Sequence, residues 1–227
     1  MKIIRFSQKG LVGYWRFDEE TGSTAKDSSP YGNDGTIYGA TRVRGIIGKA
    51  LSFDGVDDYV EVPDSASLDI ADEITVMAWV KLAEKMDGKI VSKGRDWNAA
   101  EAGFIMDYQT NGFRGGVVDE DRNVIIAKKI GYDVGVWYHV VMTYEGDTRL
   151  WVNGENVATQ PGYGKKIHTN NYNLTIGRAS WKLGCFFNGL IGEVRIYNKA
   201  LSPGEIKIIY AFTKYIKPHP IIMRRKL

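Results

Sequence analysis

Apolar and polar side chains alternate along most of this chain. The pattern is clear at residues 11–17 (LVGYWRF), 59–62 (YVEV) and 74–80 (ITVMAWV). It returns at 103–108, 137–144, 149–152, 155–158, 174–177 and 190–197. A period of two turns one set of side chains toward a core and the other toward water, as in strands half-buried in a sheet. About a dozen such segments, separated by clusters of Gly, Asp and Asn, predict two packed antiparallel sheets.

Two local signals are sharper. Asn153 and Gly154 lie between alternating runs, and both tolerate positive φ, which predicts a two-residue type I′ hairpin loop. Near the C-terminus, Ser202 can cap a helix, Pro203 suits its first position, Glu205 can close a capping box, and Leu201 can staple onto Ile206. The helix predicted there covers 203–212, and Ile206, Ile209 and Tyr210 give it an apolar stripe to lay on the sandwich. Pro218 and Pro220 then oppose regular structure, so 213–227 reads as an extended tail. The division is an arm at 1–9, one domain at 10–212 and the tail.

Composition adds limits. A chain of 227 residues is large enough to bury a core without staples. Its 26 glycines and 27 aromatic residues suit short strands and tight turns. Cys185 stands alone, which excludes an intrachain disulfide and a cysteine-based zinc site. The formal charge of +3 is misleading, because eight basic residues and no acids lie in 1–9 and 213–227. Without them, 22 basic residues face 27 acidic ones, a net −5 for the body. The folded domain therefore has no basic footprint for nucleic acid, and only the tail has the charge to meet a polyanion. The first nine residues lack the apolar stretch of a signal peptide, and nowhere does an apolar run approach the ~18 residues of a membrane span. A soluble protein is expected, working outside a cell or on a particle surface.

Seven stretches together resemble a known family. They are GYWRFDE at 13–19, Asp27 with SSPYGNDG at 28–35, GKALSFDG at 48–55, DYV at 58–60, WYHV at 137–140, RLWVNG at 149–154 and IGEVRIYNKALS at 191–202. In this order they resemble laminin-G-like domains, the concanavalin A-like jelly rolls, with similarity extending to pentraxins. The resemblance implies an all-β, two-sheet antiparallel jelly-roll β-sandwich with one short C-terminal helix. It further implies a non-catalytic domain that binds carbohydrate, protein or both, often with a bound calcium ion.

Carried over from the resemblance, a structural Ca2+ would be held by Asp18, Asn33 and the 191–193 segment, where Glu193 stands beside a Gly192 that many relatives replace with Asp. The same residues equally serve to end a strand and shape turns. A pentraxin-type ligand site would draw Asp96 and Asn98 from one loop, but its second loop here reads RASW at 178–181 and offers no carboxylate. The two loops still suit a sugar, with Trp97 and Trp181 as stacking faces and Asp96, Asn98 and Arg178 as hydrogen-bonding groups. The alternative is that both tryptophans pack over the sandwich edge. Trp15, Trp79, Trp137 and Trp151 fall in strand patterns and are expected in or near the core.

Catalysis finds little to work with. Asp119, Glu120 and Asp121 are adjacent, so in a strand they point alternately to opposite faces, and a solvated hairpin turn is expected. His139, His168 and His219 have no helical-spacing partner for zinc, and Cys185 beside Phe186 and Phe187 reads as an inert buried thiol. The function expected is recognition of a glycan or glycoprotein, or adhesion, without chemistry. The rival is an assembly protein, such as a virion or surface-layer decoration component that forms a homo-oligomer or larger array through its basic tail.

Overall fold

The computed structural model describes residues 8–95, 102–180 and 184–215. The chain begins with β1 (Leu11–Trp15), β2 (Thr24–Ala25), β3 (Gly35–Tyr38), β4 (Thr41–Arg44), β5 (Lys49–Asp54) and β6 (Tyr59–Val62). A 3-10 turn, Ala66–Leu68, leads into β7 (Ile74–Leu82), β8 (Gly88–Gly94), β9 (Ala102–Gln109), β10 (Gly112–Val118) and β11 (Val124–Ile130). Then follow β12 (Trp137–Tyr144), β13 (Thr148–Val152), β14 (Glu155–Gln160), β15 (Leu174–Ile176), β16 (Asn188–Tyr197) and α1 (Pro203–Tyr215).

These strands form two eight-stranded sheets. The first runs β14-β13-β12-β7-β16-β5-β4, with β1 also on β16; the second runs β11-β10-β9-β8-β15-β6-β3-β2. All strand pairings within them are antiparallel. Strand β16 changes partners along its length: residues 188–191 pair with β5 and residues 194–197 with β1. The joint is a bulge at Gly192 and Glu193, where Glu193 takes φ 54°.

Trp15, Phe53, Val60, Val76, Phe104, Tyr108, Val140 and Ile176 belong to the main core. The alternation predicts a wet outer face, yet β7 is buried at all but one position. The reason is α1, which lies over the outer face of the first sheet. Its Ile206 and Ile209 join Leu201, Met77, Val141, Trp151 and Tyr197 in a second apolar cluster. Three of the four strand tryptophans are buried as expected, whereas Trp137, opening β12, is only half-buried.

The local devices form as the sequence predicts. Asn153 and Gly154 take φ 53° and 82°, which closes the β13–β14 hairpin. The Ser202 amide donates to Glu205 Oε2 at 2.8 Å and the Glu205 amide to Ser202 Oγ at 3.3 Å, a reciprocal capping box. The helix runs one turn beyond the expected end. Thr213 is buried, accepts from the Trp79 indole at 2.9 Å and donates to the Ile209 carbonyl at 2.7 Å, so tertiary contact holds the extra turn. Residues 213–215 are therefore helix rather than tail, and 216–227 lie outside the described residues. Strand β10 is hidden in the sequence by Gly115 and Gly116. A Cβ at Gly115 would lie 2.5 Å from Met142 Cβ of the facing sheet, so glycine is required there by close approach.

Candidate functional site

The outer face of the second sheet carries an ordered group of aromatic and charged side chains. On β6, Val60 and Val62 enter the core, so Tyr59 and Glu61 project outward. Tyr38 lies opposite Tyr59 on β3, and the two rings stack with centroids 4.5 Å apart and planes 17° off parallel. Arg178 follows β15, where Gly177 at φ 92° turns the chain, and its guanidinium carbon rests 4.0 Å over the Tyr59 ring. Arg178 Nη2 donates to Glu61 Oε2 at 2.8 Å. Arg178 is only 8% exposed, whereas Tyr38 presents 42% of its surface. A fixed aromatic face with planar polar groups beside it results.

The two loops singled out by the sequence start beside one another. Ser180 Oγ donates to the Gly94 carbonyl at 2.5 Å and lies 3.3 Å from Ser92 Oγ. Of the expected ligand residues, Arg178 is held by Glu61 and Tyr59, while Asp96, Trp97, Asn98 and Trp181 lie outside the described residues. Tyr38, Tyr59 and Glu61 were missed by motif reading, although the alternation with Val60 and Val62 already placed Tyr59 and Glu61 on the outward side.

The three expected ion ligands do not offer a shared set of free oxygens. Asp18 Oδ1 accepts from the Lys49 amide at 2.8 Å and its Oδ2 pairs with Arg16 Nη2 at 2.8 Å. Glu193 is 3% exposed; its Oε2 accepts from the Tyr14 hydroxyl at 2.7 Å and from Arg195 Nη2 at 2.6 Å. Arg16 Nε lies 4.0 Å from Glu193 Oε1, so a guanidinium stands between the two carboxylates. Burial, opposed by the Arg195 charge, pushes the Tyr14 phenol well above its ordinary range. Asn33 serves a separate network: its Oδ1 accepts from Ser65 Oγ at 2.7 Å, its Nδ2 donates to the Val12 carbonyl at 2.8 Å, and its own carbonyl accepts from the Trp15 indole at 2.8 Å. A Cβ at Gly192 would lie 3.2 Å from Ala50 Cβ, so a larger residue there is crowded. These residues fit a protein-satisfied joint rather than an oxygen cage for a hard cation.

Among the described residues, one turn gathers three carboxylates: Asp54, Asp57 and Asp58 bring oxygens within 4.8 Å of one another. Their bonds are those of a turn. Asp54 Oδ1 accepts from the Val56 amide at 2.8 Å, which holds its carboxyl below the usual range, and Asp58 Oδ2 accepts from the Asp54 amide at 3.0 Å. Burial, then the neighbouring acids, raise Asp58.

Other acids are engaged structurally. Asp107, 1% exposed, holds Lys89 at 2.6 Å and accepts two bonds from Arg114 at 2.8 and 2.7 Å. Asp119 departs from the solvated turn expected of it: it is fully buried, and accepts from the Asn123 amide at 2.8 Å and from its Nδ2 at 2.9 Å. Of the three adjacent acids, only Glu120 and Asp121 meet solvent. Cys185, expected as a buried thiol, is exposed. Its backbone is left-handed at φ 52°, and Phe187 instead enters the core. No helix among the described residues is long and apolar enough to cross a membrane.

A model of the concanavalin A-like lectin/glucanases superfamily matches residues 54–207. No curated protein matches the chain. Among solved structures, the binding domain of paraclostridial mosquitocidal protein 1 is similar at 15% identity and TM-score 0.71, over 89% of this chain and 52% of that one. The receptor-binding domain of botulinum neurotoxin C/D mosaic serotype matches at 16% identity and TM-score 0.71, over 89% and 51%. The binding domain of botulinum neurotoxin DC in complex with SialylT matches at 13% identity and TM-score 0.70, over 92% and 52%. This chain spans about half the length of each, and at these identities the likeness is one of fold.

Proposed function

The chain belongs to the concanavalin A-like lectin/glucanases superfamily, and from that premise we propose that it is a non-catalytic recognition module whose ligand is a glycan. The observation that carries the reading is the Tyr38–Tyr59 stack with Arg178 and Glu61 beside it. A sugar ring lays its C–H face on an aromatic ring, and planar polar groups take its hydroxyls. Here the exposed ring is already stacked and the arginine already held, so little conformational freedom is lost on binding. Asp96, Trp97 and Asn98 follow Gly94 in the sequence and Trp181 follows Ser180, and their expected sugar-contacting role is part of the same proposal. Solved relatives of this fold that are named as binding domains, one of them in complex with SialylT, support a recognition role.

The absence of chemistry is part of the proposal. It is supported by acids such as Asp107, Asp119 and Glu193, which are buried and held by protein donors rather than presented as a pair to solvent. Single-site affinity of such a surface is weak, and repetition on a larger assembly raises it through effective concentration. A glycan array followed by calorimetry of the best hits tests the reading. Binding that weakens in Tyr38→Ala and perturbs tryptophan emission supports it; failure to bind any glycan, or release of reducing ends from one, overturns it.

A further inference from the structure

At the other end of strands β3 and β6 lies an open cleft of about 610 Å³, within the range of small-molecule sites. Four separate segments build it, one of them β1 through Val12. The 3-10 turn and the residues after it are anchored by Leu68 and Ile70, which are buried. The segment bearing Tyr31 is tied down through Asn33 to Ser65 and Val12. Asn198, just after β16, is fixed by its backbone amide, which donates to the Gly10 carbonyl at 2.8 Å. The walls are therefore set before any ligand arrives.

The lining divides by chemistry. Val12 and Ile70, both buried, make an apolar floor. At the mouth stand Tyr31, 53% exposed, and the exposed Asn198. Asp69, Asp72 and Glu73 complete the rim, and Lys166 Nζ lies 3.5 Å from Asp72 Oδ1. Asp69 is oriented from below: its Oδ1 is buried 3.4 Å from Lys93 Nζ, while about a third of the side chain is exposed. An aromatic face, an amide and carboxylates around an apolar floor match the C–H face and the hydroxyls of a short saccharide. Three rim carboxylates against the two lysines paired with them leave the mouth net negative, which disfavours an anionic sugar and favours an aminated one.

We propose that this cleft is a second saccharide site, independent of the Tyr38 platform, that selects neutral or aminated sugars over anionic ones. It rests on the reading of the domain as glycan-binding. Tyr31 supplies the stacking face, Asn198 and Asp72 the hydroxyl contacts, and Asp69 an acceptor held in place by Lys93.

The test is calorimetric titration of the full chain with chitotriose, the glucosamine trimer, maltotriose and 3′-sialyllactose. It is run on wild type, on Tyr31→Ala, on Asp72→Asn and on Tyr38→Ala. The expected result is that at least one neutral or aminated trimer binds, that Tyr31→Ala weakens it about tenfold, and that Tyr38→Ala leaves this binding in place. Glucosamine-trimer binding is expected to weaken in Asp72→Asn and with added salt. Melting temperatures of the three variants check that each folds, and all three positions are solvent-exposed enough for that. Binding lost in Tyr38→Ala but unchanged in Tyr31→Ala overturns the second site and leaves the platform standing. Binding of none of the neutral or aminated sugars overturns the cleft outright; if 3′-sialyllactose still binds through Tyr38, the recognition reading survives. Preference for 3′-sialyllactose at Tyr31 also overturns it.

Discussion

The guanidinium of Arg178 sits over Tyr59 with its central carbon 4.0 Å from the ring centre, while an Nη2 bond ties it to Glu61. Lysine keeps the charge but loses both the planar fork and the stack. Arg178→Lys is therefore expected to cost about 1 kcal/mol of stability, the scale of a partly desolvated cation–π contact. Urea unfolding measures it. The variant is also expected to bind glycan several-fold more weakly in the array and calorimetric assays, because the ring beneath loses its brace.

Arg16 between Asp18 and Glu193 supplies the positive charge that an ion would bring to those carboxylates. EDTA is therefore expected to leave the melting temperature unmoved, and so is millimolar calcium. An ion bound to the folded state alone would raise stability by about 2.7 kcal/mol at a hundred times its Kd. A shift of that size on adding calcium contradicts a joint already satisfied by protein groups.

His139 is 1% exposed and packs against Trp79 and Tyr210, with ring centroids 5.2 and 6.0 Å away. Burial, with the Arg195 charge adding to it, pushes its pKa down to about 3. The unfolded chain takes up that proton near pH 6.5 and the folded one does not, so the stability contribution is complete above about 6.5 and is lost as pH falls from there toward 3. Between pH 7 and pH 5 this loss is expected to be about 2 kcal/mol. Comparing His139→Leu with wild type at both pH values isolates it: the variant's stability should depend on pH less steeply by that amount. Parallel curves would show that the histidine does not titrate in that range.

Two glycines with left-handed backbone separate conformational strain from crowding. Gly22, at φ 83°, has open space where a Cβ would go, whereas a Cβ on Gly177, at φ 92°, would lie 2.5 Å from the Phe53 ring. Gly22→Ala is expected to cost about 1 kcal/mol, from backbone strain alone. Gly177→Ala adds overpacking and is expected to cost about 3 kcal/mol. Thermal or urea unfolding that finds the two equal would remove the packing argument at Gly177.

Most of what the sequence specified by itself was local. Alternation at Tyr59–Val62 and Ile74–Val80, the Asn153 and Gly154 turn, and the Ser202 and Glu205 cap each depend on residues only a few positions apart. Their outcome follows from backbone geometry whatever the rest of the chain does. The family resemblance was legible for the same reason, since its motifs are strands and turns in order. Tertiary structure decided what no window of sequence contains. It set α1 over the first sheet, so that alternation did not mean exposure, and it held Thr213 in the helix through the Trp79 indole. It buried Asp119 where adjacent acids suggested a wet turn, and left Cys185 outside when Phe187 took the core position. It also put Arg178 on Tyr59 and Arg16 between Asp18 and Glu193. A side chain's charge and shape belong to the residue, but its partners and its distance from water are settled only when remote strands meet.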